Sequence, residues 1–268
     1  MEVKWPDDYI PDGFTPYHQE ECGLIFNCDC RDILPHLPKV DLVLTDPPFN
    51  VGYHYNSYKD NLLPYDYQKL IEVGCRFPSI IIHYPEDMFK ISNYINCFPS
   101  QCVSWVYNSN TPREHRMIAW FGCFPDFALI KQPYKNQNDK RILAKQSKGE
   151  HGTNIYDWWY INQVKNISSE KTEHPCQIPL QVMKNIVTTT PSDIFIDPFL
   201  GSGTTAVAAK ELGRRFIGVE ISETYCQIAV KRLKQCNVLP FSDEHDIKQG
   251  KGNSQDSFLD LISCSSLL

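Results

Sequence analysis

An α/β fold built on a parallel sheet is what this sequence predicts, and three stretches predict it. Ile194-Phe195-Ile196-Asp197 and Phe216-Ile217-Gly218-Val219-Glu220 read as short apolar strands. Between them, Thr204 to Leu212 reads as an Ala-rich helix that Gly213 stops. Asp41 to Thr45 (DLVLT) is a third stretch, apolar enough for a strand covered on both faces. Strand, helix and strand in turn make a right-handed βαβ unit.

The remaining elements follow in order. Residues 1–21 are rich in Pro and acids and are expected to form an arm over the surface. Residues 24–27, 80–83, 103–107 and 127–130 are further strand candidates. Ser222 suits the N-cap of a closing helix at about 223–235, with Tyr225, Ile228, Ala229 and Leu233 as its apolar stripe. Residues 22–240 are read as one catalytic domain, with 108–155 as an inserted lobe. From 241 to 268 the chain turns Ser- and Asp-rich, with five acids against two lysines, and reads as a partly disordered tail.

Composition narrows the function. At 268 residues and 42% hydrophobic, the chain supports one sizeable core with a lobe. Its net charge of −6 argues against a protein that coats nucleic acid, but not against a local basic patch. Such a patch exists: Lys131, Lys135, Lys140, Arg141, Lys145 and Lys148 face only Asp139 and Glu150 within 131–150. The longest aliphatic run, Ile80-Ile81-Ile82, is far too short to span a membrane. The eleven cysteines include no C-x-x-C pair, and the opening MEVKWPDDYIPDGF has no apolar core of a secretory signal. Reduced thiols in a cytoplasmic protein, mostly small core residues, are the expectation, and no metal is expected. Trp105, Trp158 and Trp159 are read as packing residues, whereas Tyr53, Tyr55 and Tyr58 either close over a ligand or pack.

Two loops carry chemistry. Asp197-Pro198-Phe199-Leu200-Gly201-Ser202-Gly203-Thr204-Thr205 joins a strand to a helix, and its glycines let backbone N–H groups approach a ligand. Glu220, 23 residues past Asp197 at the end of the next strand, sits where a ribose-binding acid belongs. The pattern points to an adenosine-containing ligand and leaves NAD and S-adenosylmethionine both open. The second loop, Asp46-Pro47-Pro48-Phe49, follows the strand at 41–45. Its carboxylate and Pro47 carbonyl are acceptors for the two N–H bonds of an exocyclic amine, and Phe49 offers a ring on which a planar base stacks.

Together the loops resemble the amino-group DNA methyltransferases, whose signature [DNS]-P-P-[FYW] is paired with an F-x-G-x-G cofactor loop. Here the pair is Asp46-Pro47-Pro48-Phe49 and Phe199-Leu200-Gly201-Ser202-Gly203. With the catalytic loop first, the order resembles the beta subclass, a circular permutation of the Rossmann-like methyltransferase fold. Asn27-Cys28-Asp29-Cys30 matches the family's acid near the cofactor adenine. Glu173-His174-Pro175-Cys176-Gln177-Ile178-Pro179 resembles its H-P-[TC]-Q-K-P element, with Ile178 where Lys is usual. Cys176 is read as a small residue in place of Thr rather than as a covalent nucleophile.

The resemblance implies direct methyl transfer from S-adenosyl-L-methionine to the N6 amine of an adenine flipped out of double-stranded DNA. Asp46, Pro47, Pro48 and Phe49 would be catalytic. Asp29, Cys30, Asp46, His174, Asp197, Phe199, Gly201, Ser202, Gly203, Thr204, Thr205 and Glu220 would hold the cofactor, and the six cations of 131–148 would grip DNA. Cytosine-N4 transfer is the leading alternative. An RNA or protein-glutamine methyltransferase, or an inactive DNA-binding module, stands further off. A cognate restriction endonuclease is a candidate partner, and the oligomeric state is left open, a homodimer being one option.

Overall fold

The computed structural model describes residues 4–53, 60–75, 78–150, 152–166 and 168–236. The chain runs through β1 (His18–Glu20), β2 (Gly23–Phe26), α1 (Cys30–Ile33), β3 (Leu42–Thr45) and α2 (Pro64–Gly74). It continues with β4 (Ser79–His83), α3 (Met88–Tyr94), β5 (Gln101–Val106), β6 (His115–Phe121), β7 (Lys131–Gln132) and α4 (Lys140–Gln146). β8 (Thr153–Asn154), β9 (Trp158–Tyr160), α5 (Leu180–Thr189), β10 (Ile194–Asp197), α6 (Thr204–Glu211), β11 (Arg215–Val219) and α7 (Glu223–Gln235) complete it.

One nine-stranded sheet, in the order β1-β2-β11-β10-β3-β4-β6-β5-β9, forms the backbone of the fold. Strands β2, β11, β10, β3 and β4 are parallel neighbours, and β6 lies antiparallel to both β4 and β5. The parallel strands are buried along their lengths, apart from Arg215 at the start of β11, because helices cover both faces. Leu42, Leu44, Ile80 and Ile82 pack with Val182, Met183, Ile186 and Val187 of α5, while Val43 and Ile196 pack with Leu70 of α2. Ala206, Val207 and Ala209 of α6 meet Cys226, Ala229 and Leu233 of α7.

The crossover from β3 leads to β4 on one side, and that from β10 leads to β11 on the other. Strands β3 and β10 lie side by side, so the strand order reverses between them. Such a switch point opens a crevice at the C-terminal strand ends. Thr45 and Asp197 are those two ends.

Several expectations need correction. Part of the N-terminal arm is structural: β1 pairs antiparallel with β2, and Tyr9 is buried in the core. Strand β6 falls inside 108–155, so the stretch expected to form the inserted lobe supplies a central strand. Ile118, Ala119, Trp120 and Phe121 are buried there. The strand expected at 127–130 is a 3-10 turn, Phe127–Leu129, because the Asp126 side chain accepts the Ala128 N–H and bends the chain. Ser222 does occupy the N-cap of α7, but its side chain makes no capping bond. The buried stripe of α7 is Cys226, Ala229 and Leu233 rather than one starting at Tyr225. Trp105 and Trp159 are buried, whereas Trp158 is 45% exposed on edge strand β9.

The segment between β6 and β9 forms an outlying lobe. Its root is the short β7–β8 ladder, extended by a bond from the Ile155 N–H to the Ile130 carbonyl (2.9 Å). Helix α4, which falls inside the basic run, buries none of its residues. The tail at 241–268 lies outside the described residues, as do Tyr55 and Tyr58. Among the described residues no helix is long and apolar enough to cross a membrane.

Candidate active site

Asp197 binds the two loops together. It is buried, and its Oδ1 accepts from the Thr45 hydroxyl (2.7 Å) and the Phe199 N–H (3.1 Å), while Oδ2 accepts from the Thr205 hydroxyl (2.6 Å). Burial pushes its carboxyl up to about 6, and the three hydrogen bonds oppose that shift. It lines the crevice, as expected of a cofactor residue, but both oxygens are engaged inward.

The catalytic loop is held from behind. Asp60 takes the N–H groups of Asn50, Val51 and Tyr53 (2.8, 3.1 and 3.0 Å). Asn50 stands in the left-handed region (φ 55°), and its amide exchanges two bonds with Leu62. The Tyr67 hydroxyl of α2 donates to the Pro48 carbonyl (2.9 Å). Phe49 is flanked by His83, with ring centroids 4.2 Å apart, and edge-on by Tyr84 at 4.6 Å. Burial pushes the His83 ring down to about 4, so it is neutral at neutral pH.

Asp46 differs from Asp197 and Asp60. Its Oδ2 lies 3.4 Å from Nη1 of Arg116, and its Oδ1 is buried with no hydrogen-bond partner among the described residues. Burial pushes the carboxyl up to about 7, against the opposing charge of Arg116 and with that of Asp197. A buried acceptor without a donor is costly unless a ligand supplies one.

The cofactor loop is equally constrained. Gly203 (φ 81°) opens α6, and a Cβ there would lie 2.7 Å from that of Ala229. Gly201 (φ 53°) abuts His174, whose ring packs on Tyr225 at 4.5 Å between centroids. Burial, then Lys171 and Arg232, pushes His174 down to about 4. Glu220 accepts the N–H groups of Gly201 (2.7 Å) and Ser222 (2.8 Å). Arg232 of α7 braces the loop through the Ser202 carbonyl (2.8 Å) and the Thr204 hydroxyl (2.9 Å).

A cavity of about 230 Å³ joins the two loops. Asp46, Pro47, Pro48 and Phe49 line it. So do Asp29, Cys30, His174, Asp197, Phe199, Gly201, Ser202, Thr204, Thr205 and Glu220. Gly203 does not, since it packs against α7. The six lobe cations are also absent from the wall and are all exposed. Lys131 reaches Asn154, Arg141 folds back on Asp139 (3.0 Å), and Lys135 caps the Tyr156 and Trp158 rings (4.5 and 4.8 Å).

Ile178 is buried and adds to the apolar wall where a Lys was expected. No pattern in the sequence points to Arg116, Asp60, Tyr67 or Tyr84 as site residues. Tyr225, expected on the apolar stripe of α7, lines the cavity instead. None sits in a recognisable motif; only their distance from the loops in space marks them.

The donor set discriminates between cofactors. Asp29, Asp46, Asp197 and Glu220 all line the cavity, and the Gly201 N–H that would greet a phosphate already donates to Glu220. A pyrophosphate would meet carboxylates. Adenosine carrying a positive centre matches better, and S-adenosylmethionine with its sulfonium is such a ligand.

Comparison with known proteins agrees with this chemistry. A family model described as DNA methylase matches residues 72–231, a span that holds the cofactor loop and begins after the catalytic loop. The Type II methyltransferase M.BglII of Bacillus subtilis is 33% identical over 267 residues, covering 84% of this chain and 72% of that protein. The DNA adenine methyltransferase YhdJ of Escherichia coli (strain K12) is 25% identical over 252 residues, 80% of this chain and 83% of its own. Among solved structures, the M1.HpyAVI–SAM complex matches with a TM-score of 0.55 at 24% identity, covering 79% of this chain and 98% of that one. The cytosine-N4-specific PvuII DNA methyltransferase matches at 0.59 and 16% identity, over 94% and 95%. These two structures share the fold.

Proposed function

This chain belongs to the family of N6/N4 DNA methylases, and on that premise we propose that it methylates the exocyclic N6 amine of adenine in double-stranded DNA, with S-adenosyl-L-methionine as donor. The observation that carries the reading is Asp46 Oδ1, a buried acceptor without a hydrogen-bond partner among the described residues, in a cavity that Phe49 and the Gly201 loop also line. When bound, the cofactor would supply an electrophilic methyl group, its sulfonium–methyl bond breaking to leave a thioether as the N–C bond forms and the amine gives up one proton.

The residues here supply orientation. Phe49 stacks the flipped base. Asp46 Oδ1 and the Pro47 carbonyl accept its two amine N–H bonds. Those bonds draw the nitrogen from planar toward tetrahedral and turn its lone pair to the methyl group. They strengthen as positive charge grows on nitrogen, so they favour the transition state over the bound substrate. Asp29, His174 and the Gly201–Thr205 loop hold the donor, and Asp197 keeps both loops in register. The exposed cations at 131–148 contact DNA phosphates.

Adenine is favoured by Asp at the first motif position and by the adenine-directed E. coli relative. Cytosine-N4 transfer is the second reading, because the same acceptor pair suits either amine and a cytosine-N4 enzyme shares the fold. The Type II name of the Bacillus relative supports a restriction–modification setting, beside an endonuclease that reads the same site. DNA incubated with methyl-labelled donor and digested to nucleosides tests the reading. N6-methyladenine is expected. N4-methylcytosine transfers the case to the second reading, and unlabelled nucleosides sink both.

A further inference from the structure

Arg116 is a charged side chain in a place that rarely holds one. It sits on β6, the antiparallel strand beyond β4, and is only 8% exposed. Its guanidinium lies over three rings: Phe49 (4.9 Å to the centroid), Trp105 (5.5 Å) and Tyr84 (5.8 Å). Nη1 meets Asp46 Oδ2 at 3.4 Å, and Nε is buried without a hydrogen-bond partner among the described residues. Burying a guanidinium is costly, and a cage of ring faces, one long contact to a carboxylate and a hydrogen bond to Tyr107 still leave Nε without a partner among the described residues. A purely structural arginine would be expected to satisfy its donors.

We propose that Arg116 is a positioning residue for methyl transfer: its caged guanidinium favours the charged form of Asp46 and holds Oδ2 so that Oδ1 stays free for the substrate amine, while its flat face steadies the ring of Phe49. The proposal rests on the amine-binding role of Asp46. Position supports it, since one planar cation touches both the carboxylate and the ring that must grip the base. Electrostatics supports it as well. Burial drives the Asp46 carboxyl toward protonation and Asp197 adds to that, with Arg116 the opposing charge. The other titratable groups around the pair are His83 from β4, Tyr84, Tyr107 at the end of β5, and Cys176 before α5. His83 is held neutral by burial. A protonated Asp46 would offer the amine one acceptor fewer.

The test compares Arg116→Met and Arg116→Lys by the pH dependence of kcat. Removing the cation should move the acid limb of kcat upward by about one pH unit or more, because Asp46 then ionises only at higher pH. Near pH 7, kcat of Arg116→Met should fall by ~10-fold or more and recover partly in alkali, with KM for the methyl donor within about 2-fold of wild type. Arg116→Lys should keep the limb near its wild-type position. An unmoved limb in Arg116→Met, or equal shifts in both variants, overturns the proposal. Should Arg116→Met fail to fold, Arg116→Gln, which removes the charge and leaves one NH2 group on a shorter side chain, carries the same test.

A second readout needs no transfer: carbon-13 NMR titration of the Asp46 carboxyl, assigned with Asp46→Asn. If wild type fails to methylate DNA, the proposed function falls. The titration still decides whether Arg116 governs the charge of Asp46.

Discussion

In the crevice, Asp197 alone accepts three hydrogen bonds from two loops, whereas in the 131–150 lobe all six Lys and Arg side chains are exposed and α4 buries nothing. Both regions are proposed to meet the same DNA. One must place a nitrogen beside a methyl group to within fractions of an ångström, which calls for buried, over-determined geometry. The other must find phosphates through solvent, where charge without fixed geometry suffices. Precision and reach are thus assigned to separate parts of the chain.

The comparison can be broken first at Asp46. Asp46→Ala should lower kcat by roughly 10²–10³-fold, the scale for removing one transition-state hydrogen-bond partner. Calorimetric titration should find donor binding within a few-fold of wild type. Transfer that survives the substitution removes Asp46 from the mechanism.

Asp197→Ala should act on the fold more than on a single step. It strands the Thr45 and Thr205 hydroxyls in the core, at about 1–3 kcal/mol for each unsatisfied group. Thermal unfolding should show a lowered Tm, by roughly 2–4 °C per kcal/mol in a chain of this size. Donor affinity should fall with it, since both loops lose their shared anchor. An unchanged Tm would mean that the crevice is less tightly determined than its hydrogen bonds indicate.

The smallest effect is expected in the lobe. Lys135→Ala should weaken DNA binding only a few-fold and lower the slope of log affinity against log salt by about one, leaving kcat at saturating DNA nearly unchanged. Binding assays across a salt series measure it. A large loss of kcat instead would show that the lobe shapes the chemistry as well as the encounter.

The crevice was more legible in the sequence than the lobe. Turn chemistry is local: Gly201 and Gly203 announce backbone with positive φ, and Pro47-Pro48 announce a stiff loop whatever the rest of the chain does. The flanking strands were legible for the same reason, being short, apolar and buried on both faces. Arg116 is not legible in the sequence because its carboxylate partner, Asp46, lies 70 residues upstream and no spacing rule links them. Strand β6 is hard to read because it lies in a stretch that also holds the lobe, and 127–130 departs from a strand because Asp126 overrides an apolar run with one side-chain bond. Trp158 departs from the packing role because an aromatic residue in a strand does not reveal whether its face is covered.

The β7–β8 ladder gives the lobe a property that its cations do not. The chain leaves at Ile130 and returns at Ile155, joined there by a backbone bond, so whatever lies between begins and ends at nearly the same point. Closing a longer or shorter excursion on such a gate changes the free energy only logarithmically with its length. The segment is therefore tethered at one point, and a change in its length is expected to leave the sheet and the crevice behind it in place.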